Sequence, residues 1–571
     1  MTLPLRAAIL SSVKFSPALL FAAGEVGAWY DPSDLTTMFQ DSAGTTPVTA
    51  VEQPVGLILD KSKGGAGAQQ IGDPSFDVGV SGWGAQFPGA DVTAAWNSGL
   101  KSITVTRGAG GILGRPTYPV SVAAGTWYKL TITTNAAGVT NGAAFAVTDA
   151  ANAATIFSGS VLAPQTVGTT SKSFYALATS TATAYIALWC NTSVSADFLS
   201  VEFAAVAGNH ASQATSGSRP MLSARYNLLT RTEEFDNAAW VKFSTTILAN
   251  QGTDPLGGNT ADKFPAGTGT SITQQNIATT SGVNYTFSVW IKGVSAGGTV
   301  GLYFSNPQTV PTNGMTATFT TSWQKFTLTG NATSGTTYVN IGTWDVLNNG
   351  PTQDILIWGA DLRVANEAAN LPPYQRVVTG TTNDYDTTGF PLYLKFDGTD
   401  DGLATASIDF SGTDKVTMFA GVRKLSDASY GVIGGLNNTL TGSFELGVAG
   451  SAQPNYISGL TASLGTTSFF CQTFAAPHTG VLSTVFDIAG AVQASEIFPR
   501  VNGSIPTLVG SGVAAAGTGN FALLPITLGM RSGGTFPFSG RLYGLIVRGA
   551  ATDPLNISKA EAWMNANTLA Y

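Results

Sequence analysis

NLLTRTEEFDNAAW, residues Asn227–Trp240, lies near the middle of the 571-residue chain and opens a run of β-rich segments of similar size. It follows a polar passage, Gly208–Leu222, whose Ser, Gly and Pro residues are typical of a connection between two folded units. Within the stretch Phe-Asp stands ahead of Trp240, and the same order occurs in Pro74–Gly84. The stretch therefore indicates the start of a unit that occurs twice.

Three further landmarks repeat on either side of Asn227–Trp240 in the same order and at similar spacing. The matched pairs are Thr126–Asn135 with Val283–Gly293, Ser171–Asn191 with Ser322–Trp344, and Asp197–Val206 with Asp354–Val364. Each pair is rich in β-branched and aromatic residues with partial period-two alternation, which is typical of strands. Self-similarity of this kind predicts a duplicated β-sandwich.

The composition predicts an all-β fold. Only 11% of residues are charged, and Gly accounts for 67 of 571 positions, a mixture that favours strands joined by glycine turns over long amphipathic helices. A third strand-rich unit follows Tyr385. We therefore expect three tandem β-sandwich (jelly-roll) domains with a small, partly helical N-terminal segment.

The expected domains are separated by changes in sequence texture. We predict an N-terminal attachment segment (1–64), a first sandwich (65–207), a join (208–225), a second sandwich (226–370), a linker (371–384) and a third unit (385–571). The N-terminal segment has too few apolar residues for its own core, so it is expected to dock on another domain or on a neighbouring protein.

Three short helices are predicted at the two ends of the chain. Leu5–Val13 and Pro17–Ala23 have helix-compatible spacing, and Ser558–Tyr571 is the clearest helical segment. Ser558 with Glu561 three residues later has the capping-box spacing, so Ser558 is expected to begin the last helix.

Charge and hydropathy exclude two classes of partner. The net charge is −7 and Lys or Arg form no run, so the chain lacks the basic side chains that neutralise phosphates in a nucleic-acid complex. No apolar run reaches the roughly 18 residues of a membrane span. Lys14 and Pro17 interrupt the apolar part of Leu3–Ala23, which disfavours a signal peptide.

The two cysteines, Cys190 and Cys471, lie next to apolar strands of different predicted domains. Two buried free thiols are expected, and a disulfide between the domains is the alternative. Two cysteines are too few for a disulfide scaffold.

No constellation of residues indicates catalysis, so we predict that the protein is not an enzyme. The two histidines, His210 and His478, lie outside any nucleophile motif and are expected in surface loops. Glu233, Glu234 and Asp236 form an acidic group, but neighbouring positions on an extended segment point to opposite faces, so they are interpreted as turn acids.

Two groups of residues are candidate binding sites. Trp96 and Trp344, the latter beside Asp345, occur in predicted loops and could stack on the C–H faces of a sugar, whereas Trp240 is expected in the core. Asp397, Asp400 and Asp401 surround a glycine turn and offer hard oxygen ligands that suit calcium, ordinary turn aspartates being the alternative.

The third unit resembles the laminin-G or concanavalin-A-like superfamily over about 385–571. The resemblance rests on Phe396–Leu403 (FDGTDDGL), Arg500–Gly503 (RVNG), the strand GRLYGLIV and the terminal helix. It implies a two-sheet jelly roll that binds glycan or protein, sometimes with calcium. The short motif with two glutamates that marks the glucanases of this superfamily is absent, which argues against hydrolysis.

The middle unit resembles the carbohydrate-binding-module-like sandwiches of bacteriophage fibre and other virion proteins, above all in Asn227–Trp240 with the following Val241-Lys242. Leu20–Val48 is similar to the start of many phage structural proteins. In such proteins a phrase like LDKSGNGNHATQ often follows, and Leu59–Gly65 with Gly208–Gln213 resembles its two halves. The resemblance implies that the first sandwich is inserted between them.

Together the resemblances imply a phage virion fibre or adhesin, located in the virion, that binds bacterial surface polysaccharide and contacts other virion proteins through its N-terminal segment. A homotrimer is expected by analogy with such fibres. A purely architectural capsid-decoration or tail protein is the alternative, and a secreted glycoside hydrolase or its accessory module is a third hypothesis.

Overall fold

In a computed structural model the chain is almost entirely antiparallel β-structure, which confirms the predicted fold class. The structure describes residues 15–571 except 64–65, 88–91, 110–114, 152, 154, 159–161, 163–164, 268–270, 307–310, 343–349, 368–369, 437–439, 449 and 451–454. The predicted helix Leu5–Val13 lies outside the described residues.

The first described elements are short. They are a 3-10 turn at Pro17–Leu20, a second at Leu35–Thr37, and the strands β1 (Gly27–Tyr30), β2 (Met38–Phe39), β3 (Gln53–Pro54) and β4 (Leu57–Ile58). Pro17–Leu20 falls within the predicted helix at Pro17–Ala23 but makes only one 3-10 turn.

The first sandwich follows β4 in the chain. Its elements are β5 (Ala66–Gln69), β6 (Gly84–Phe87), β7 (Val92–Asn97), β8 (Ser102–Arg107), β9 (Arg115–Val122), β10 (Trp127–Thr134), α1 (Ala136–Thr140), β11 (Ala144–Thr148), β12 (Gln165–Thr166), β13 (Ser171–Leu177), β14 (Ala182–Trp189) and β15 (Val194–Val206). One sheet has the order β13, β10, β15, β8, β7, with β5 also paired to β15, and the other has the order β12, β11, β14, β9, β6.

Two strands and a 3-10 turn lead to the second sandwich. They are β16 (Ala211–Ser212), Ser216–Ser218 and β17 (Met221–Ser223). The second sandwich contains β18 (Val241–Phe243), β19 (Leu248–Gly252), β20 (Ala261–Phe264), β21 (Ile272–Ala278), β22 (Asn284–Gly293), β23 (Gly298–Ser305), β24 (Pro311–Phe319), β25 (Gln324–Asn331), β26 (Thr336–Gly342) and β27 (Ile355–Val364). Its sheets have the orders β19, β20, β27, β22, β25 and β18, β21, β26, β23, β24.

The strand orders of the first two sandwiches agree with the duplication that the sequence predicted. Each strand of the first sandwich from β6 to β15 corresponds to the strand of the second sandwich whose number is higher by twelve. With this correspondence the two five-strand sheets of one sandwich have the same strand orders as those of the other. A tyrosine hydrogen bond also repeats. The Tyr128 hydroxyl accepts from the backbone N–H of Ala123, and the Tyr285 hydroxyl accepts from that of Thr280, both at 2.9 Å.

The last part of the chain supplies most of the third sandwich. Its elements are β28 (Tyr393–Asp397), β29 (Leu403–Asp409), β30 (Lys415–Lys424), β31 (Gly431–Gly435), β32 (Ser443–Val448), β33 (Tyr456–Ala462), β34 (Gly465–Cys471), β35 (His478–Asp487), α2 (Gln493–Glu496), β36 (Ile497–Val501), β37 (Leu508–Gly512), β38 (Leu523–Leu528), β39 (Ser539–Arg548) and α3 (Pro554–Thr568).

The third sandwich also contains the N-terminal strands and the join, so the structure divides the chain differently from the boundaries expected at residues 64 and 208–225. One sheet has the order β3, β17, β28, β39, β30, β35, β36, with β1 paired to β39. The other has the order β2, β4, β16, β29, β38, β31, β32, β33, β34, β37. The first sandwich therefore lies between β4 and β16, and the second between β17 and β28.

The physical reason is burial of apolar side chains. Ala28, Tyr30 and Met38 cannot form a core by themselves, and they lie in the same buried cluster as Leu394 and Leu545 of the third sandwich. The two sequence segments that resemble halves of one phrase, Leu59–Gly65 and Gly208–Gln213, are also in contact. The backbone N–H of Asn209 donates to Oδ2 of Asp60 at 2.7 Å.

Helix α3 begins earlier than predicted. Asp553 caps it by accepting a hydrogen bond from the backbone N–H of Asn556 at 3.0 Å, and Pro554 occupies the first helical position. Ser558 lies inside the first turns, and Glu561 is buried against Arg500 instead of closing a capping box. The predicted start at Ser558 is therefore wrong.

Cys190 and Cys471 are buried free thiols, as predicted. Trp240 is fully buried in the core of the second sandwich, which confirms that expectation too. Among the described residues, no helix combines the length and the apolar character needed to cross a membrane.

Candidate functional site

The outer face of one sheet of the second sandwich combines tryptophan with polar side chains. On β22 the side chains of Phe287, Val289 and Ile291 point into the core. Successive side chains of a strand point to opposite faces, so Ser288 and Trp290 lie on the outer face. This alternation places an indole ring among the polar residues of β22.

Strand register extends the outer face across β27, β22 and β25. Three rows of side chains result, namely Trp358, Trp290 and Lys325; Asp361, Ser288 and Thr327; and Arg363, Thr286 and Thr329. Neighbouring rows are about 6.6 Å apart, which is the rise of two strand residues. We call this surface, with the adjoining Trp323, the tryptophan face.

The aromatic end of the tryptophan face is rigidly supported. Trp358 is buried, packs against Tyr374 with ring centroids 4.8 Å apart and ring planes inclined by 55°, and donates its indole N–H to Oγ1 of Thr260 at 2.9 Å. Trp290 and Trp323 pack against this cluster and are only partly buried. Part of each of these two rings therefore remains accessible, with little side-chain freedom left to lose on binding.

The polar end of the tryptophan face opens into a groove of about 260 Å³. Ser288, Lys325, Asp361 and Arg363 line its floor, and the chain at 371–373 closes one side. Nζ of Lys325 donates to the carbonyl of Pro373 at 2.5 Å, and partial burial lowers the pKa of this lysine. The groove therefore presents several hydrogen-bonding groups beside the aromatic rings.

Asp361 and Arg363 form the fixed ion pair of the groove. Nε and Nη2 of Arg363 each donate to the Asp361 carboxylate at 2.7 Å, and the backbone N–H of Gln375 donates to the same group at 2.9 Å. Burial raises the pKa of Asp361, while the guanidinium opposes that shift. These bonds hold both side chains in place at the floor of the groove.

The equivalent face of the first sandwich has no tryptophan at the positions of Trp290 and Trp358, and its one β10 tryptophan, Trp127, is buried near the other end of the face. Its rows are Ser200, Thr133 and Ser171; Glu202, Thr131 and Ser173; and Ala204, Lys129 and Tyr175. One end of it packs on the third sandwich, where the rings of Tyr175 and Phe39 are 4.9 Å apart. The aromatic residues on this face of the first sandwich, Trp127 and Tyr175, are therefore covered, whereas Trp290 and Trp323 of the second sandwich are only partly buried.

Of the predicted sugar-stacking residues, only Trp96 is among those that the structure describes. It lies on the edge strand β7, is 42% exposed, and donates its indole N–H to the carbonyl of Phe76 at 2.9 Å. Its geometry suits a single stacking contact. Trp344 and Asp345 lie outside the described residues.

The predicted calcium ligands come together at the turn after β28. Carboxylate oxygens of Asp397, Asp400 and Asp401 lie within 4.8 Å of one another. Several of these oxygens already accept hydrogen bonds, for example Oδ2 of Asp401 from the backbone N–H of Asp397 at 3.0 Å. Burial raises the pKa of Asp401 to about 6, with Asp397 and Asp400 adding to the shift. The oxygen donors fit calcium, and binding stays a prediction.

The prediction of surface histidines is wrong for His210. This side chain is 1% exposed, its Nδ1 accepts from the backbone N–H of Asp60 at 3.0 Å, and burial lowers its pKa to about 4. His478 is half-buried, and its Nδ1 lies 3.1 Å from the Tyr456 hydroxyl. Among the described hydrogen bonds, neither histidine contacts a serine or cysteine that it could activate.

The acidic group near the opening stretch has structural partners. Glu233 accepts from the Tyr374 hydroxyl at 2.9 Å, and Glu234 pairs with Arg231 at 3.0 Å. Both carboxylates therefore stabilise the start of the second sandwich.

Sequence reasoning missed Trp290, although a signal for it is present. In Val283–Gly293 the apolar residues Tyr285, Phe287, Val289 and Ile291 share one parity, and Trp290 has the parity of Thr286 and Ser288. A tryptophan at a polar-face position of a strand is a candidate for a binding surface. The groove itself could not be predicted, because the chain at 371–373 closes it from outside the sheet.

The fold and the tryptophan face define a class: a multidomain β-sandwich protein that carries a supported aromatic and polar surface on one module. No protein-family model matches the sequence, and no curated protein is significantly similar to it.

Solved structures with a similar arrangement include the tandem CBM22 domains of Paenibacillus barcinonensis Xyn10C, at 14% identity and a TM-score of 0.22, covering 53% of this chain and 99% of that one. A structure described as "CBM4 structure and function" has 17% identity and a TM-score of 0.17, and the match covers 21% of this chain and 86% of that one. The heptameric SAP-like pentraxin of Limulus polyphemus has 13% identity and a TM-score of 0.24, and the match covers 29% of this chain and 80% of that one. At these values the likeness does not extend to function.

Proposed function

We propose that the protein binds bacterial surface polysaccharide through the tryptophan face, without catalysing a reaction. The observation that carries this proposal is the supported, partly exposed pair Trp290 and Trp323 beside a groove of hydrogen-bonding side chains. The negative face of an indole ring attracts the polarised C–H groups of a sugar, and the adjacent polar groups bond its hydroxyls. Fixed rings make this contact at low entropic cost.

We further propose that the protein is a fibre-like structural component of a phage virion. This part rests on the resemblance of Leu20–Val48 and Asn227–Trp240 to virion proteins. The N-terminal segment would contact other virion proteins, and a homotrimer would be the assembled form. Since β1 to β4 belong to the third sandwich, that sandwich would then lie at the attachment side, with the two inserted sandwiches available to the host surface.

An array of bacterial polysaccharides tests the binding proposal. Replacing Trp290 with alanine should weaken binding by about tenfold or more, because loss of a tryptophan anchor typically costs about 2 kcal/mol. The matched control is Thr133→Ala, at the equivalent position of the first sandwich, which should leave binding unchanged. Full binding by Trp290→Ala, or no polysaccharide bound by the native protein, would refute the proposal.

Virion association is tested separately. Antibodies against the protein should label intact particles by electron microscopy, and purified particles should contain the chain. Particles that lack it would contradict the virion proposal and leave glycan binding to be judged by the array.

A further inference from the structure

The charges of the tryptophan face do not balance locally. Lys263 pairs with Asp354 at 2.6 Å, and Arg363 pairs with Asp361 at 2.7 Å. Among the described residues, no carboxylate lies within 4.0 Å of the ammonium groups of Lys292 or Lys325. Two cations therefore stand on this surface without an ion-pair partner.

Each of the two cations lies beside one of the exposed rings. Lys292 is two residues beyond Trp290 on β22, and its Nζ lies 5.8 Å from the Trp323 ring centroid. Lys325 is opposite Trp290 in register and lines the groove. A chain-like ligand that crosses Trp290 would thus meet a positive charge at each end of the aromatic contact.

The groove holds unused donors as well. Arg363 bonds Asp361 through Nε and Nη2, and no described residue accepts a hydrogen bond from its Nη1. Lys325 uses one N–H on the carbonyl of Pro373, which leaves two others. The Lys325 ammonium and the Arg363 guanidinium line the same groove, and these are the groups that proteins use to bind carboxylate oxygens.

Three further acids near the face have internal partners. Glu233 pairs with Arg376 at 3.4 Å, and the Asp254 carboxylate accepts hydrogen bonds from the backbone of its own loop and from Thr260. Glu367, at the far end of the groove, pairs with Arg541 at 3.2 Å. These three carboxylates are therefore held by internal partners and do not pair with Lys292 or Lys325.

We propose that the polysaccharide is acidic, with a uronic-acid carboxylate bound in the groove between Lys325 and Arg363 while a neighbouring sugar stacks on Trp290. This inference rests on the proposed function and specifies its ligand class. Lys292 contacts the next acidic unit along the polymer. The equivalent row of the first sandwich, Ser200, Thr133 and Ser171, has neither the ring nor the charge.

The test compares capsular polysaccharides that contain uronic acid with the same polymers after carboxyl reduction, which replaces each carboxylate by a primary alcohol. The native protein should bind the acidic form about tenfold more tightly, since a charge-assisted hydrogen bond exceeds a neutral one by roughly that factor. Lys325→Gln should remove most of this preference, because it should weaken binding to the acidic polymer more than binding to the reduced one. The control is Lys172→Gln, a lysine on β13, the strand that corresponds to β25.

The outcomes separate the two proposals. Equal binding of acidic and reduced polymers, both lost in Trp290→Ala, would overturn the acidic ligand and keep glycan binding at the tryptophan face. An unchanged preference in both Lys325→Gln and Lys292→Gln would also overturn it. Binding of neither polymer by the native protein would overturn both proposals. Thermal unfolding of each variant verifies that it is folded.

Discussion

The parity of a residue within its strand decides what its side chain does in this protein. Trp240 lies just before β18 and is fully buried, whereas Trp290 lies within β22 and reaches the outer face. Burial of Trp240 was predictable from the apolar residues around it. The opposite placement of Trp290 follows from the period-two pattern of β22, in which its neighbours in parity are Thr286 and Ser288.

His210 shows why a polar linker does not always lie at the surface. The residue belongs to a Ser- and Gly-rich passage, but the passage returns to the third sandwich, and the imidazole is packed against the ring of Trp127 at 5.5 Å. Only the long-range pairing between residues 57–60 and 209–212 explains this burial, and no local pattern in the sequence encodes it.

Acid should destabilise the protein through His210. Burial lowers the pKa of this histidine to about 4 in the folded protein from its ordinary value of 6.5, so the unfolded chain binds more protons between these pH values. Going from about pH 7.5 to about pH 5 should cost about 2 kcal/mol of unfolding free energy. Denaturant titrations of the native protein and of His210→Gln at both pH values measure this cost as the difference between their falls in stability, and the fall should be smaller in the variant. The same fall in both proteins would contradict the prediction.

Calcium binding at Asp397, Asp400 and Asp401 should depend on pH. The pKa of Asp401 is raised to about 6, and calcium needs the ionised carboxylate, so binding should be strong above that pH and weak below it. Millimolar calcium should raise the melting temperature near pH 7.5, with a much smaller effect near pH 5. Asp400→Asn is expected to reduce the effect. A melting temperature indifferent to calcium at both pH values would exclude the site.

At the scale of elements, a bulge shapes the tryptophan face. Gly359 and Ala360 of β27 together oppose the single residue Val289 of β22, and Gly359 has a φ of +65°. An isolated glycine in a predicted strand signals such a bulge, so this feature was open to sequence reasoning. Trp358 and Asp361 are three residues apart and would point to opposite faces of a regular strand. The extra residue of the bulge places Trp358, Asp361 and Arg363 on the same outer face.

Gly359→Ala should impair both stability and glycan binding. A Cβ at this position would lie 3.2 Å from Cδ1 of Trp290, and the left-handed conformation costs a non-glycine residue about 1 kcal/mol. We expect a loss of about 1–2 kcal/mol in unfolding free energy together with weaker polysaccharide binding. The control, Gly335→Ala, adds a Cβ with only a backbone oxygen at 4.0 Å and should change neither. Native-like binding by Gly359→Ala would show that Trp290 needs no fixed position.

At the scale of the whole molecule, the first and second sandwiches are inserted into the chain of the third sandwich. The repeat and the split phrase in the sequence predicted that one sandwich is inserted, because both are visible as local similarity. The N-terminal strands were not assigned to the third sandwich, since β2, β3 and β4 are only two residues long, and β3 and β4 pair with β17 and β16 on the far side of the first sandwich in the chain. Pairing of such short strands depends on a core that forms elsewhere in the chain.

A buried charge cluster connects the second and third sandwiches. Glu367, just after β27, lies 3.3 Å from Nε of Arg423 and 3.2 Å from Nη1 of Arg541, and both arginines belong to the third sandwich. The Arg541 guanidinium also lies 4.6 Å from the ring centroid of Tyr393. The cluster attaches the second sandwich, which contains the tryptophan face, to the third sandwich.

Glu367→Ala should strongly destabilise this connection. The change leaves two buried guanidinium groups without their carboxylate, and breaking a buried ion pair typically costs about 3–5 kcal/mol. Denaturant unfolding followed by tryptophan fluorescence measures the loss. Glu202→Ala, which removes an exposed carboxylate from the first sandwich, should be nearly neutral. Equal stability of the two variants would show that the cluster contributes little.

A structure of the full-length protein with a bound acidic oligosaccharide tests the central claim most directly. We predict a sugar ring stacked on Trp290, with its neighbour in the groove formed by Lys325, Asp361 and Arg363. An oligosaccharide bound only at Trp96 or at the Asp397 turn, with the tryptophan face free of ligand, would contradict the proposed site.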